Sequence, residues 1–306
     1  MRETIFKSPV TKELLARTEI AALSNAPAFI TGENGTGKEH IAQLLHAESK
    51  RKAHPFIAVN CAALPSHLIE SELFGSRRGA YTGSTETRMG LFREAGEGTI
   101  FLDELSEMPI EVQSKLLRVI QDKEVRAVGD ATFVPISCRI VAATNRPIKE
   151  SIEKQKLRQD LYYRLAVITL NLPPLRERPE DIEALTVHFI KKFCKEEDKE
   201  VTYDQSLIDI FKTLEWKGNV RQLQNAIHRA IIFNTNGKLT IGDFVEEANE
   251  PAPVSITTIM TMEEVEKRQI AFTLNHFKGH KDKTAEALDI SRGTLYEKIK
   301  RYQILA

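Results

Sequence analysis

Apolar and polar positions divide the chain into regions with different periods. The first region contains five short apolar runs, and each predicts a strand buried on both faces. The runs are PAFIT (27–31), PFIAVN (55–60), GTIFLDE (98–104), CRIVAATN (138–145) and AVITLNL (166–172). The stretches between them are long enough for crossover helices, so the pattern predicts a parallel α/β sheet.

After Pro173-Pro174 the apolar positions recur at helical spacing, which predicts helices only. One helix follows Pro179, a residue suited to a first turn, and its apolar face is formed by Ile182, Leu185, Phe189, Ile190 and Phe193. The segment EPAPVS has the composition of a linker. We therefore predict an α/β subdomain at 1–172, a helical subdomain at 173–249, a linker at 250–260 and a last domain at 261–306.

The last domain has the signals of three helices. Thr261 and Glu264 form a capping box before a helix whose apolar positions are Val265, Ile270, Leu274 and Phe277. The stretches KTAEALDI and SRGTLYEKIKRY predict two shorter helices, with Ser291 as the N-cap of the second.

Composition limits the class of protein. The 306 residues are 42% hydrophobic and 28% charged, which is ordinary for a soluble globular chain of two or three domains. Basic and acidic residues number 43 each, so any nucleic-acid surface must be local. No apolar run suits a signal peptide or a membrane span. Cys61, Cys138 and Cys194 lack metal-type spacing, and we expect buried free thiols in a cytoplasmic protein.

The segment GENGTGKE, directly after the first predicted strand, has the spacing of a phosphate-binding loop. Such a loop wraps phosphates with backbone N–H groups, and its lysine reaches the outer phosphates. The candidate nucleotide-binding residues are Gly32, Glu33, Asn34, Gly35, Thr36, Gly37, Lys38 and Glu39. Glu39 departs from the general pattern, which has Ser or Thr there as a magnesium ligand.

Polar side chains end two other predicted strands. Asp103 and Glu104 follow an apolar run, which suits an aspartate that holds a metal ion and a glutamate that orients the attacking water. Thr144 and Asn145 end another run and could sense the γ-phosphate. Taken alone, Thr144 and Asn145 would more often mark a strand end and turn, whereas Asp103 and Glu104 together with the phosphate loop predict an ATP or GTP hydrolase.

A series of motifs carries a family resemblance: GENGTGKE, VNCAAL, ESELFG, GAYTGS, GTIFLDEL, VAATN, LYYRLAVITLNLPPLRER and WKGNVRQLQN. In this order, from about residue 20 to the end, the chain resembles the bacterial enhancer-binding proteins, AAA+ ATPases that activate sigma-54 RNA polymerase. The resemblance implies an AAA+ P-loop parallel sheet with a helical lid subdomain. That family usually has GKE in the phosphate loop, so magnesium would rely on Asp103, phosphates and water.

The resemblance also implies roles for single residues. Asn60 resembles an asparagine that contacts the catalytic glutamate, here Glu104. Arg158 and Arg164 resemble arginines that reach a neighbouring subunit's ATP site, and Arg221 resembles a lid arginine that faces the phosphates. A planar guanidinium group suits these tasks because it can neutralise phosphate charge. An arginine supplied by a neighbour implies an oligomer, expected to be a ring hexamer.

The loop GAYTGS resembles the family's GAFTGA loop, whose tip engages sigma-54. The matching residues are Gly79, Ala80, Tyr81, Thr82, Gly83 and Ser84, with tyrosine in place of phenylalanine and serine in place of the last alanine. Tyrosine keeps the aromatic ring and adds a hydroxyl group. The alternative is a loop that has drifted and no longer contacts sigma-54.

The segment AEALDISRGTLYEKI resembles a Fis-type helix-turn-helix. From Lys278 onwards, seven basic residues face four acidic residues, a net charge of +3. We expect double-stranded DNA to be bound through Ser291, Arg292 and Thr294 near the start of the second helix, and through Lys298 and Lys300 at phosphates. A helical hairpin that packs on the lid is the structural alternative.

The sequence therefore predicts a cytoplasmic ATPase that binds upstream DNA and remodels the closed complex of sigma-54 RNA polymerase. One alternative is a DNA-binding regulator with a degenerate loop, which uses ATP only to control its assembly. A more distant alternative is an AAA+ replication initiator or loader. About 20 residues precede the ATPase pattern, so we expect either a piece of a longer regulator or control by a separate partner.

Overall fold

The computed structural model describes residues 5–80, 86–244, 266, 267, 269, 270, 273, 274, 277 and 280–302. The chain divides into two compact units, Met1–Glu250 and Pro251–Ala306. No helix in these described ranges is long and apolar enough to cross a membrane.

The first unit is built on a five-stranded parallel sheet. The strands in chain order are β1 (Ala28–Thr31), β2 (Phe56–Asn60), β3 (Thr99–Asp103), β4 (Glu124–Arg126), β5 (Phe133–Pro135), β6 (Arg139–Thr144) and β7 (Ile168–Asn171). The main sheet has the order β2-β3-β6-β1-β7 with every pair parallel, while β4 and β5 form a separate antiparallel hairpin. All five predicted strands and the α/β class are confirmed.

The prediction that every strand is buried on both faces is wrong for the two edge strands. Residues of β1, β3 and β6 are buried almost throughout, as expected for the centre of the sheet. In β2 the side chains of Ala58 and Asn60 are exposed, and in β7 those of Thr169 and Asn171 are exposed. The covering helices leave one face of each edge strand open to solvent, so burial alternates along it.

The helices of the α/β part are α1 (Pro9–Ala22), α2 (Lys38–Ala47), α3 (Ile69–Phe74), α4 (Leu91–Glu94), α5 (Ile110–Asp122), α6 (Ile148–Glu153) and α7 (Gln159–Leu165). The lid contains α8 (Pro179–Glu196), α9 (Gln205–Phe211) and α10 (Asn219–Phe233). Pro179 begins α8, and its five predicted apolar positions are all buried in the lid core.

The expectation of helices alone in the lid is wrong. Two-residue parallel strands, β8 (Thr202–Tyr203) and β9 (Lys238–Leu239), pair there. So short a pair leaves no periodic pattern in the sequence, since alternation needs at least four residues to be visible. The described residues also include three short 3-10 helices. One, Leu105–Glu107, follows β3 in the α/β part, and the other two, Leu175–Glu177 and Ile241–Phe244, lie in the lid.

The second unit contains α11 (Lys281–Ala287) and α12 (Arg292–Arg301), close to the two predicted helical stretches. Ser291 is the N-cap of α12, as predicted, and its Oγ accepts a hydrogen bond from Thr294 N at 3.1 Å. A small core contains Ile270, Ala285, Leu295 and Tyr302. The predicted linker, the capping box and Val265 lie outside the described residues.

The three cysteines are free thiols. Burial raises the pKa of Cys61 to about 12 and that of Cys138 to about 11, so both remain protonated at neutral pH. Cys194 is half-buried, so the expectation that all three are buried is wrong for this residue.

Candidate nucleotide site

The segment from Gly32 to Gly37 connects β1 to the N-terminus of α2 and has the conformation of a phosphate loop. Gly35 (φ +75°) and Gly37 (φ +109°) adopt backbone angles that favour glycine. A Cβ atom on Gly35 would lie 2.3 Å from the carbonyl oxygen of Gly218, which belongs to the lid. The loop therefore packs so closely against the lid that a larger residue would collide with it.

Lys38 is buried at the start of α2. Its Nζ donates to the carbonyl oxygens of Gly32 (3.0 Å) and Glu33 (3.3 Å). The same Nζ lies 3.8 Å from Oε1 of Glu104, at the end of β3. The fold thus brings the loop lysine and the strand-end acid, 66 positions apart in the sequence, to one edge of the sheet.

Asp103 and Glu104 have different surroundings. Asp103 Oδ1 accepts from Glu104 N at 3.0 Å, whereas Glu104 Oε2 accepts from Asn145 N at 3.3 Å. Burial raises the pKa of Glu104, and the nearby Lys38 opposes the rise. Glu104 also has a φ of +52°, an uncommon value for a non-glycine residue that is found at strained functional sites.

Of the two polar residues at the end of β6, only Asn145 turns toward the phosphate loop. Its Nδ2 donates to Asn34 Oδ1 at 3.0 Å, and its Oδ1 is buried without a hydrogen-bond partner in the part of the chain that the structure describes. Thr144 is fully buried, with its Oγ1 2.9 Å from Ser106 Oγ. A buried acceptor beside Glu104 is suited to a water molecule, which has two hydrogens to donate.

The structure explains why a carboxylate is tolerated at position 39. The Glu39 side chain is exposed, and its Oε1 accepts a hydrogen bond from Gln43 Nε2 at 3.0 Å, one turn further along α2. The carboxylate therefore lies along the helix surface instead of facing the loop.

The lid contributes residues to the loop that the sequence interpretation missed. Buried Asn219 accepts from Leu175 N and donates from Nδ2 to Glu33 Oε2 (3.1 Å) and to the carbonyl oxygen of Asn34 (2.9 Å). Arg176 makes two hydrogen bonds to the Glu33 carboxylate, at 2.7 and 3.0 Å, and lowers its pKa. Arg176 lies in the motif LPPLRER and Asn219 in the motif WKGNVRQLQN. These two motifs were the only sequence signal that could have pointed to them.

A second lid arginine, Arg178, also binds the phosphate loop. Arg178 is 1% exposed, donates to the carbonyl oxygen of Thr36 at 2.8 Å and lies 3.8 Å from Asp181. Arg221 contacts the loop differently, because its backbone N–H donates to the carbonyl oxygen of Gly35 (3.4 Å) and its side chain is exposed. Beside the loop is a cleft of about 410 Å³, lined by residues that include Asn145 and Arg176.

The other predicted catalytic residues lie outside this cluster or at its margin. Asn60 pairs with Asp103 in the sheet, but its Oδ1 accepts from Ala62 N and Ala63 N, and it shares no hydrogen bond with Glu104, although both residues are described. Arg158 precedes α7 and is bound to Asp160, and Arg164 is exposed on α7. Neither arginine makes a hydrogen bond to the phosphate loop in the part of the chain that the structure describes.

The predicted sigma-54 loop is described at its base. Ser76 is bridged to Arg88 and to Val128, Ala80 N donates to the carbonyl oxygen of Arg77, and Gly79 has a φ of +81°. Tyr81, Thr82, Gly83 and Ser84 lie outside the described residues.

The predicted DNA-binding residues of the second unit differ in accessibility. Lys300 is exposed, and Arg292 is exposed and paired with Asp282 at 2.6 Å. Ser291 and Thr294 cap α12. Lys298 is half-buried and donates to Glu266 at 2.5 Å, so this charge is already partly neutralised within the unit.

Comparison with known families decides the class. The Sigma-54 interaction domain matches residues 4–171. The chain belongs to the sigma-54-dependent activator family. The AAA+ ATPase lid domain matches residues 176–258 of this activator, and the Fis family of bacterial regulatory proteins matches residues 261–302. The AAA+ fold, the helical lid and the Fis-type helix-turn-helix are thereby confirmed.

Individual proteins agree with this assignment. The activator is 41% identical to the regulatory protein AtoC of Escherichia coli K12, over 97% of this chain and 67% of AtoC. It is 40% identical to LuxO of Vibrio parahaemolyticus, over 97% of this chain and 69% of LuxO. NtrX from Brucella abortus, solved in complex with ATP, has a TM-score of 0.73 and 30% identity, with 99% of this chain and 69% of NtrX covered.

Proposed function

We propose that this activator hydrolyses ATP and uses the energy to convert the closed complex of sigma-54 RNA polymerase into the open complex. The observation that carries the proposal is the convergence of Lys38, Glu104 and Asn145 on one edge of the sheet, beneath a lid that is bonded to the phosphate loop. NtrX, a structural neighbour, was solved in complex with ATP and in complex with ADP, which supports adenine-nucleotide binding by this chain.

The residues at the sheet edge have complementary chemical roles. The N–H groups of the loop and the Lys38 ammonium group bind the phosphates, while Glu104 orients and deprotonates the attacking water. Asn145 Oδ1 accepts a hydrogen bond from that water. The exposed Arg221 side chain, on the lid beside Gly35, faces the phosphates. Arg158 and Arg164 serve the site of the next subunit in a ring hexamer, where their charge stabilises the transition state.

Magnesium fits the donor set at the same edge. Asp103 offers one carboxylate, and no cluster of three or more metal-binding side chains occurs among the described residues. Magnesium in nucleotide sites is held by one or two carboxylates, substrate phosphates and water, so a single aspartate suffices. Asp103 would hold the ion, which neutralises phosphate charge.

The remaining motifs supply the two macromolecular partners. The loop from Gly79 to Ser84 contacts sigma-54, with the Tyr81 ring as the apolar contact. The helix α12 enters the major groove of upstream double-stranded DNA, where Arg292 and Lys300 are the exposed basic residues among the proposed contacts.

The decisive experiment measures promoter opening by purified sigma-54 polymerase while ATP hydrolysis is followed in parallel. Tyr81→Ala should abolish opening and leave hydrolysis within about twofold of wild type, whereas Tyr81→Phe should retain both. If the wild-type chain hydrolyses ATP but opens no promoter, the remodelling function is wrong. A DNA-binding regulator with a degenerate loop is then the better account.

A further inference from the structure

Gln113, on α5, has a fully buried side-chain amide that makes three hydrogen bonds to backbone groups. Its Nε2 donates to the carbonyl oxygens of Met108 and Lys156, both at 2.8 Å, and its Oε1 accepts from Arg158 N at 3.0 Å. A buried carboxamide with both donors and its acceptor engaged has a single orientation. It therefore ties the segment that precedes α7 to α5.

The next residue, Ser114, binds the guanidinium group of Arg158. Its Oγ accepts from Nη1 of Arg158 at 3.0 Å, and the Arg158 guanidinium also makes two hydrogen bonds to Asp160, at 2.7 and 3.1 Å. The Arg158 side chain is 36% exposed, so its charged end lies at the surface of the subunit. Successive positions of α5 thus hold the backbone and the side chain of Arg158.

This support matters because the segment itself is short and irregular. It runs from the end of α6 at Glu153 to the start of α7 at Gln159, and Gln155 within it has a φ of +53°. By contrast α5 is a 13-residue amphipathic helix with Val112, Leu116 and Val119 buried in the main core. An arginine that acts on a neighbour's phosphate needs a fixed base, since displacements of about 1 Å can lower a rate about 100-fold.

We propose that Gln113 and Ser114 are positioning residues that fix Arg158 for the ATP site of the neighbouring subunit. The inference rests on the trans role of Arg158 in the proposed function. Met108, the third partner of Gln113, lies four positions after Glu104, so the same amide also anchors α5 next to the catalytic segment of its own subunit.

Trans-complementation tests the proposal on the 306-residue chain. Gln113→Ala should lower kcat for ATP hydrolysis at least tenfold with KM for ATP within about threefold, because its own phosphate loop is intact. An excess of Glu104→Gln subunits, which are inactive at their own site but carry an intact Arg158, should then restore hydrolysis at the Gln113→Ala sites. A matched donor, Glu104→Gln with Arg158→Ala, should restore nothing.

The controls separate failure of the inference from failure of the proposed function. Arg158→Ala must lose hydrolysis and be rescued by the same donor; if it is not, the trans role of Arg158 is wrong. If Arg158→Ala is rescued and Gln113→Ala is not, Gln113 acts within its own subunit and the inference is overturned.

Ser114→Ala keeps the test decisive if Gln113→Ala does not fold by circular dichroism. This variant removes one half-buried hydroxyl group and should lose about two- to fivefold in kcat, again rescued by the donor. Unchanged hydrolysis by Ser114→Ala, or a loss that the donor does not rescue, would count against the proposed support of Arg158.

Discussion

At the residue scale, the close approach of Gly35 to the lid predicts a specific sensitivity. Gly35→Ala places a Cβ atom 2.3 Å from the Gly218 oxygen. Both the left-handed backbone at this position and the collision with the lid should lower the free energy of unfolding. The left-handed cost is about 1–2 kcal/mol and the overpacking cost about 1–3 kcal/mol. We expect urea denaturation to show a loss of stability equal to the sum of these two costs. We also expect the variant to bind ADP more weakly than the wild type.

Gly96 provides the matched control for this substitution. It has a φ of +52°, and a Cβ atom there meets nothing within 4 Å. Gly96→Ala should therefore show the backbone cost alone and leave ADP binding unchanged. Equal loss of stability in the two variants would mean that the lid moves aside without cost.

At the element scale, Asp181 joins the lid helix α8 to the start of α1. Its Oδ1 accepts from Lys7 N, Ser8 N and Thr11 Oγ1, at 2.5 to 3.2 Å, and its side chain is buried beside Arg178. Asp181→Ala leaves the N–H groups of Lys7 and Ser8 without this acceptor and the buried Arg178 charge without its counter-ion, which costs about 3–5 kcal/mol. Chemical denaturation of the wild type and of Asp181→Ala measures this difference in the free energy of unfolding.

The control for Asp181 is an exposed ion pair in the same lid. Asp204 pairs with Lys238 at 2.7 Å, with side chains that are 64% and 50% exposed. Asp204→Ala should cost less than about 1 kcal/mol, because solvent screens surface pairs. A loss as large as that of Asp181→Ala would contradict the explanation from burial.

The helix α12 depends on its N-cap. Ser291→Ala removes the acceptor of the Thr294 N–H and should destabilise the helix by about 1 kcal/mol. Hydrogen exchange of the α12 amides in the full chain should accelerate about fivefold, with DNA affinity reduced. Ser291→Asp, which keeps an acceptor, should retain wild-type exchange, and acceleration there would argue against capping as the cause.

At the scale of the whole molecule, the proposed trans role of Arg158 and Arg164 would make hydrolysis a property of the assembly. ATPase activity per subunit should rise steeply with protein concentration, as monomers associate into rings. The rise should follow the oligomer fraction measured by light scattering. A constant specific activity across monomeric and assembled samples would remove the need for Arg158 and Arg164 from a neighbour.

The sequence by itself determined the strands, the phosphate loop and the strand-end acids. Central strands are continuous apolar runs because both of their faces are buried, and GENGTGKE is a local motif whose glycines adopt the backbone that phosphates require. The motif series also identified the family from the letters alone. These features depend on short-range patterns, which the letters contain directly.

Tertiary structure alone decided which long-range partners meet. It placed Asn219 and Arg176 on Glu33, turned Glu39 away from the loop toward Gln43, and buried Thr144 while Asn145 faced Asn34. It also left one face of β2 and β7 exposed, which depends on where the helices pack. The contacts of Glu33 with the lid and of Asn145 with Asn34 join positions more than 100 residues apart, and no local pattern specifies which polar side chains a fold will bring within hydrogen-bonding distance.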